Sequence, residues 1–201
     1  MKNIEINIDR EVIFAYNRSM KKFFCSVWTW RVFLTLLCVL TTGFIFYNSM
    51  QTAEASSAAS SGVVETVQEV ATVVAPNSKI ANATGKDYDL LHAFVRSMAH
   101  FSEFALLGAA LVWCWRTYTA KKKFLALPFA LIVGIAVTDE ILQHFVAGRA
   151  AQATDVLIDV CGGLCGGGFA FLTVVIVTLM IIKKRRREYG AGEHGNRLNQ
   201  V

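Results

Sequence analysis

The amino-acid sequence predicts an all-α membrane protein, a polytopic bundle of four transmembrane helices that forms a single domain. Hydrophobic residues make up 54% of the 201 positions, and the chain contains only two prolines. The mean hydropathy is positive, at +0.44. A water-soluble domain of this length is expected to be less apolar, so the lipid bilayer is the predicted solvent and partner.

Four apolar runs give the predicted transmembrane helices. A hydrocarbon core of about 30 Å requires about 20 helical residues, which each run provides or approaches. The first run is the shortest, and Trp28, Trp30 and Arg31 precede it, as is typical of a membrane interface. About 30 residues precede this run and no small-residue cleavage pattern follows it, which favours a retained anchor over a cleaved signal peptide. The predicted helices span residues 32–47, 97–115, 124–145 and 156–182.

The lysine and arginine residues determine the predicted orientation. With the N-terminus inside, 16 of the 20 lie on inner segments and 4 on outer segments. The positive-inside rule therefore predicts that both termini are cytoplasmic. Residues 1–31 form the cytoplasmic N-terminal segment, 48–95 the extracytoplasmic loop, and 183–201 a basic cytoplasmic tail that meets anionic lipid. Because the basic residues cluster at the ends of apolar runs and form no helical stripe, the net charge of +5 does not indicate nucleic-acid binding.

The predicted extracytoplasmic loop is polar but contains one apolar pattern. In GVVETVQEVATVV at 62–74, valines alternate with Glu65, Gln68 and Glu69 at spacings that suit a short amphipathic helix, and Pro76 ends it. We expect this helix to lie on the outer membrane surface or to cap the helix bundle. A loosely ordered loop is the alternative.

Ionisable residues interrupt the later helices at one level. In the predicted topology they lie in the outer halves of helices two, three and four, and His92, Arg96, His100 and Glu103 share one helical stripe. Exposing such groups to lipid is costly, so we expect a shared interior in which carboxylates pair with Arg96, Arg149 or a histidine. The predicted ligand-binding cluster comprises Arg96, His100, Glu103, Asp139, Glu140, Gln143, Arg149, Asp155 and Asp159.

Glycines accompany the aspartates of the last helix. Asp155, Asp159, Gly162 and Gly166 share a face, and this GxxxG spacing lets a neighbouring helix approach closely. The approach would bring both aspartates near the other polar stripes. A polar lock that only holds the helices together is the structural alternative, whereas the number and convergence of the ionisable residues favour an outward-facing functional site.

These residues resemble a known family. RSMAHFSEFALLG at 96–108 and TDEILQHFVAGRAAQATDVLIDVCGGLCGG at 138–167 look like the signature blocks of VanZ-like membrane proteins, and YNSMQTAEASSAASSGVVE at 47–65 looks like the block after the first helix in many Gram-positive members. The resemblance implies a bacterial plasma-membrane protein connected with the cell envelope, and the founding member is linked to teicoplanin resistance. The nine cluster residues all match the family pattern. Ser97 and Met98 depart from it, because many members have a basic residue beside the helix-two histidine.

Three functions remain open. The cluster could bind or modulate a lipid-linked cell-wall component or a glycopeptide antibiotic, with Arg96 and Arg149 engaging anionic groups. The protein could instead be an enzyme acting on such a substrate, with His100, Glu103 or Glu140 as general base and the aspartates holding a divalent cation. A proton-coupled carrier is less favoured, since the sequence shows no inverted repeat. We favour binding, because the sequence has no nucleophile elbow, HExxH motif or P-loop. Its five cysteines lack CxxC spacing, which argues against a disulfide framework or a thiolate zinc site.

Overall fold

The computed structural model describes residues 2–119, 125–149 and 152–198, with side chains described from Ser26 to Lys183 in these ranges except for Ile181. This part of the chain contains five α-helices and no strand, so the predicted all-α fold is confirmed. The helices are α1 (Lys2–Ser49), α2 (Ala53–Val74), α3 (Lys86–Tyr118), α4 (Ala126–His144) and α5 (Ala153–Leu198).

Four of the described helices are long and apolar enough to cross a membrane, as predicted. Their candidate spans are Ser26–Ser49, Lys86–Tyr118, Ala126–His144 and Ala153–Met180. Large apolar side chains cover the outside of these spans; Leu40 is 69% exposed and Phe169 62% exposed. Lipid, rather than water, is the solvent that suits such a surface.

The second helix lies within the segment that was predicted to be a loop. α2 begins at Ala53, well before the amphipathic stretch at 62–74, because Thr52 caps its start by accepting a hydrogen bond from the Ala55 amide at 3.3 Å. Val64 on this helix is completely buried. His92 of α3 lies 3.2 Å from the Ser57 carbonyl oxygen, which ties α2 to α3. Of the alternatives considered above, an ordered helix over the end of the bundle is therefore observed.

The third helix begins earlier than its apolar run. α3 starts at Lys86, whereas the sequence placed the transmembrane helix at 97–115 and left 86–95 in the loop. Its first turns are amphipathic: Leu90 and Phe94 are exposed on one side, while His92 lines a cavity on another. Hydropathy alone ends a helix where polar residues begin, and it therefore misses turns of this kind.

The transmembrane helices alternate in direction. At one end of the bundle, Arg31 of α1 donates from Nε and Nη2 to the Thr117 carbonyl oxygen of α3, at 3.0 and 2.6 Å. At the other end, Asn48 of α1 donates to Glu103 of α3 at 2.8 Å. We call this second end, over which α2 lies, the α2 end. α1 and α4 run toward it, whereas α3 and α5 run away from it.

Glycines bring α3 and α5 into the most extensive helix contact of the described chain. A Cβ atom added at Gly162 would overlap the carbonyl of Phe101, and one added at Gly166 would overlap the carbonyl of Ala105. The two backbones are thus too close for any side chain at these positions. The predicted GxxxG contact is observed, and it aligns the start of α5 with the polar stripe of α3.

An apolar core closes the polar end of the bundle from below. Its members are buried and come from three helices: Ile45, Phe104, Leu107, Ile132 and Ala136. Phe104 and Leu107 lie within about one helical turn of Glu103, and Ala136 lies within one turn of Asp139, so the polar cluster has an apolar floor.

Some predicted features lie outside the described residues. These are the inner-loop lysines at 121–123 and the side chains of the basic tail beyond Lys183, although the α5 backbone continues to Leu198.

Candidate functional site

The predicted cluster assembles at the α2 end from separate elements. α3 contributes Arg96, His100 and Glu103 from one stripe, because these residues follow helical spacing. α4 contributes residues of its last turns, the return after α4 contributes Arg149, and α5 contributes aspartates of its first two turns. The end of α1 also takes part, although no ionisable residue there predicts it.

Four of the nine predicted residues are buried inside the bundle. Asp139 and Asp159 have no exposed surface, Gln143 is 1% exposed and Glu140 is 7% exposed. Carboxylates are rarely buried to this extent unless they are paired, protonated or bound to a cation. Their partners therefore decide what the site can do.

Asp139 is held by two neutral donors. Ser49 Oγ donates to its Oδ1, and Gln143 Nε2 donates to its Oδ2 at 3.0 Å. Gln143 Nε2 also lies 3.4 Å from Ser49 Oγ. Asp139, Ser49 and Gln143 thus form a closed, buried network that fixes the orientation of the carboxylate.

Glu140 points to the return between α4 and α5. The backbone amide of Gln152 donates to its Oε1, which ties the end of α4 to the start of α5. Its Oε2 is buried and has no hydrogen-bond partner among the described residues.

Asp159 contrasts with Asp139. Neither of its carboxylate oxygens has a hydrogen-bond partner in the described part of the chain. His100 Nδ1 lies 3.7 Å from its Oδ1, too far for a hydrogen bond. The carboxylates were expected to pair with Arg96, Arg149 or a histidine. Among the described residues, His100 and Asp159 form the one such pair whose nitrogen and oxygen lie within 4 Å.

The remaining side chains surround two cavities. One, of about 230 Å³, is lined by Arg96, His100, Gln152 and Asp155 among others. The second, of about 350 Å³, lies beneath α2 and is also lined by Arg96 and His100. Its other polar lining residues are Asn48, Gln51, Ser56, Ser60, Glu103 and Arg149.

The predicted site therefore divides into two layers. The cavity layer contains Arg96, His100, Glu103, Arg149 and Asp155. The buried layer contains Asp139, Glu140, Gln143 and Asp159. Of the predicted general bases, His100 and Glu103 line a cavity, whereas Glu140 does not.

Three polar residues of the site were not predicted. Asn48 donates to Glu103, Ser49 donates to Asp139, and the Gln152 amide donates to Glu140. Asn48 and Ser49 directly follow the first apolar run and belong to the 47–65 block quoted above, so their position was an available signal. Gln152 acts through its backbone, for which side-chain identity gives no signal.

Arg149 links the two layers. Its Nη1 donates to the Ser49 carbonyl oxygen at 3.2 Å, and its Nε is buried without a partner among the described residues. Burial lowers the pKa of the Arg149 guanidinium, and the positive charge of Arg96 lowers it further. Two like charges therefore face the larger cavity, where an anion would relieve their repulsion.

The comparisons with known proteins give one result that covers most of the chain. Neither the curated proteins nor the solved structures include a significant match. The family model described as VanZ/LLP1 matches residues 32–183. This range contains both layers of the site and all four transmembrane spans, apart from the first six residues of Ser26–Ser49. This chain belongs to the VanZ/LLP1 family of membrane proteins.

Proposed function

We propose that the cavity beneath α2 binds the anionic head group of an envelope amphiphile on the outer face of a bacterial plasma membrane. The observation that carries this proposal is the cavity of about 350 Å³ whose lining includes two arginines, Arg96 and Arg149, and His100. Its volume falls within the usual range for small-molecule sites.

The two arginines provide the anion specificity. Arg96 lines both cavities, and Arg149 Nε has no partner among the described residues. Guanidinium groups with free donors bind phosphate or carboxylate oxygens in a bidentate manner. The mutual repulsion of two cations is lost when an anion lies between them.

The rest of the lining suits an uncharged polar group and a hydrocarbon tail. Asn48, Gln51 and Ser60 offer donors and acceptors to hydroxyl or amide groups, as in a sugar or a peptide. Val63 and Val95 line the same cavity. A molecule with a phosphate or carboxylate, a polar body and an apolar tail fits this lining, which favours a lipid-linked cell-wall component or an amphiphilic glycopeptide. Binding of this kind would change teicoplanin or lipoglycopeptide susceptibility.

Binding to the purified full-length protein in lipid nanodiscs tests the proposal. The probes are a polyprenyl-pyrophosphate-linked saccharide and the corresponding free polyprenol, with affinities measured by native mass spectrometry. We expect the pyrophosphate lipid to bind at least about tenfold more tightly than the alcohol, and Arg96→Lys or Arg149→Lys to remove most of this difference, about 1.4 kcal/mol.

Arg116→Lys is the matched control, because this arginine lies at the opposite end of the bundle, where it donates to the Thr119 carbonyl oxygen. Its affinity for the pyrophosphate lipid should equal that of the wild type. Equal binding of alcohol and pyrophosphate, or unchanged affinity in both site variants, would contradict the proposal.

A second candidate function, an enzyme acting on the same head group, is favoured by the position of His100. This imidazole lines both cavities and lies beside the buried carboxylate of Asp159, as a general base with an acidic partner would. The same nanodisc samples distinguish the two functions. An enzyme would convert the pyrophosphate lipid into a lipid of lower mass by cleaving its head group, whereas binding alone would leave the mass of the lipid unchanged.

A further inference from the structure

Three ligating side chains from three different helices converge where the cavity layer meets the buried layer. They are His100 of α3, Asp139 of α4 and Asp159 of α5. One atom of each, a histidine nitrogen and two carboxylate oxygens, lies within 4.8 Å of the other two. A small shift of side chains would bring all three to about 2.0–2.2 Å from one central ion.

Asp159 gives an independent reason to expect a ligand. It has no exposed surface, and neither carboxylate oxygen has a hydrogen-bond partner among the described residues. His100 Nδ1, which faces it, is likewise buried and unpartnered there. Burying unpaired polar groups costs free energy, whereas Asp139, at a similar depth, has two donors.

Charge points to a cation. Asp139, Glu140 and Asp159 are three buried carboxylates, and the two arginines of the site line the cavity instead. Arg149 donates from Nη1 to the Ser49 carbonyl oxygen. Within the described chain, the buried layer therefore has more potential negative charge than its basic neighbours neutralise.

We propose that His100, Asp139 and Asp159 bind a divalent transition-metal cation of the Mn²⁺ or Zn²⁺ class. Carboxylates alone would suit Mg²⁺ or Ca²⁺, but an imidazole nitrogen favours the transition metals. Ser49 and Gln143 would then orient Asp139 as outer partners of a metal ligand. Three protein ligands leave at least one coordination position for water or another oxygen.

The cation site is separate from the head-group proposal. Asp139 and Asp159 do not line either cavity described above, whereas Arg96 and Arg149 take no part in the metal site. His100 is the shared residue, since it lines both cavities. Either proposal can fail while the other holds.

Metal content and affinity test the site. The full chain, purified in nanodiscs with a tag that contains no histidine, is stripped with a chelator, reloaded with Mn²⁺ or Zn²⁺ and desalted. Elemental analysis should find about one cation per chain. Asp159→Asn and His100→Gln should each lower the affinity at least about tenfold, because each removes one of three ligands.

Asp89→Asn is the matched control, since it makes the same change at an exposed carboxylate in the first turn of α3. It should retain the cation like the wild type. If Asp159→Asn does not fold, the wild type alone decides: Mn²⁺ or Zn²⁺ should raise its melting temperature, and chelator should reverse the rise.

Two results would overturn the proposal. One is a wild-type protein that retains no stoichiometric cation and gains no thermal stability, which would mean that a proton neutralises Asp159. The other is a folded Asp159→Asn variant with wild-type metal affinity. Lipid binding by the stripped protein, with its dependence on Arg96 and Arg149, is measured separately, so loss of the metal site would leave the head-group result standing.

Discussion

Ser49 is the residue through which the first helix joins the site. Its side chain is completely buried and donates to Asp139, while its carbonyl oxygen accepts from Arg149. One residue thus contacts both the buried layer and the cavity layer. A serine at the end of an apolar run would ordinarily be taken for a residue at the membrane interface.

We predict that Ser49→Ala destabilises the protein. The change leaves Asp139 Oδ1 without its donor inside the bundle, which should cost about 1–3 kcal/mol of unfolding free energy. Thermal unfolding in detergent micelles measures the effect. Ser102→Ala is the control: its hydroxyl is exposed and donates to the Ala99 carbonyl oxygen of its own helix, so its melting temperature should match that of the wild type. Equal melting of both variants would show that the Ser49 bond contributes little.

Side-chain type and spacing predicted which residues converge, but not which of them line a cavity and which are buried. Arg96, His100 and Glu103 were placed on one stripe by helical periodicity, and they do face the same region. Periodicity gives the direction of a side chain around its own helix. It does not give the distance to the next helix, and that distance decides whether Asp155 lines a cavity and Asp159 is buried.

At the scale of helices, the contact between α3 and α5 sets the geometry of the site. Gly162 and Gly166 allow the backbones to touch, and this places Asp159 beside His100. Both the glycine face and the aspartates were readable from the sequence, because GxxxG spacing has one common use in membrane helices. The start of α2 at Ala53 could not be predicted from the sequence, since a stretch of Ser and Ala fits a loop and a capped helix equally well.

A pair of glycine substitutions tests this contact. Gly166→Ala should separate α3 from α5 and lower the melting temperature and the folded yield, because the new Cβ would overlap the Ala105 carbonyl. Gly168→Ala, two residues later, is the control, since its Cβ would meet nothing within 4 Å. Alanine there should be neutral or stabilise the helix by up to about 1 kcal/mol. Similar melting temperatures for the two variants would contradict the close approach.

At the scale of the whole molecule, the structure places every predicted site residue at the α2 end, and the positive-inside rule predicts that this end faces outward. The number of spans followed from hydropathy, whose signal is strong for apolar runs of this length. Helix order around the bundle did not follow from it, because hydropathy does not say which faces pair.

Cysteine labelling tests the orientation. In a variant whose five native cysteines are replaced, a membrane-impermeant maleimide should label Ser57→Cys on α2 in intact cells, because α2 lies at the predicted outer end. Thr119→Cys, just after α3, should react only after the cells are permeabilised. Labelling of Thr119→Cys in intact cells would show that the topology is the reverse of the predicted one, with both cavities on the cytoplasmic side.

The contact between α3 and α5 also constrains how the chain can be made. Synthesis runs from the N-terminus, so α3 and α4 emerge from the ribosome before α5 exists. During that interval Arg96, His100 and Asp139 have been synthesised, but Asp159 and the glycine face that later enclose them have not. Until α5 is inserted, these side chains lack the buried surroundings of the complete bundle, so this stage of synthesis is less stable than the finished fold.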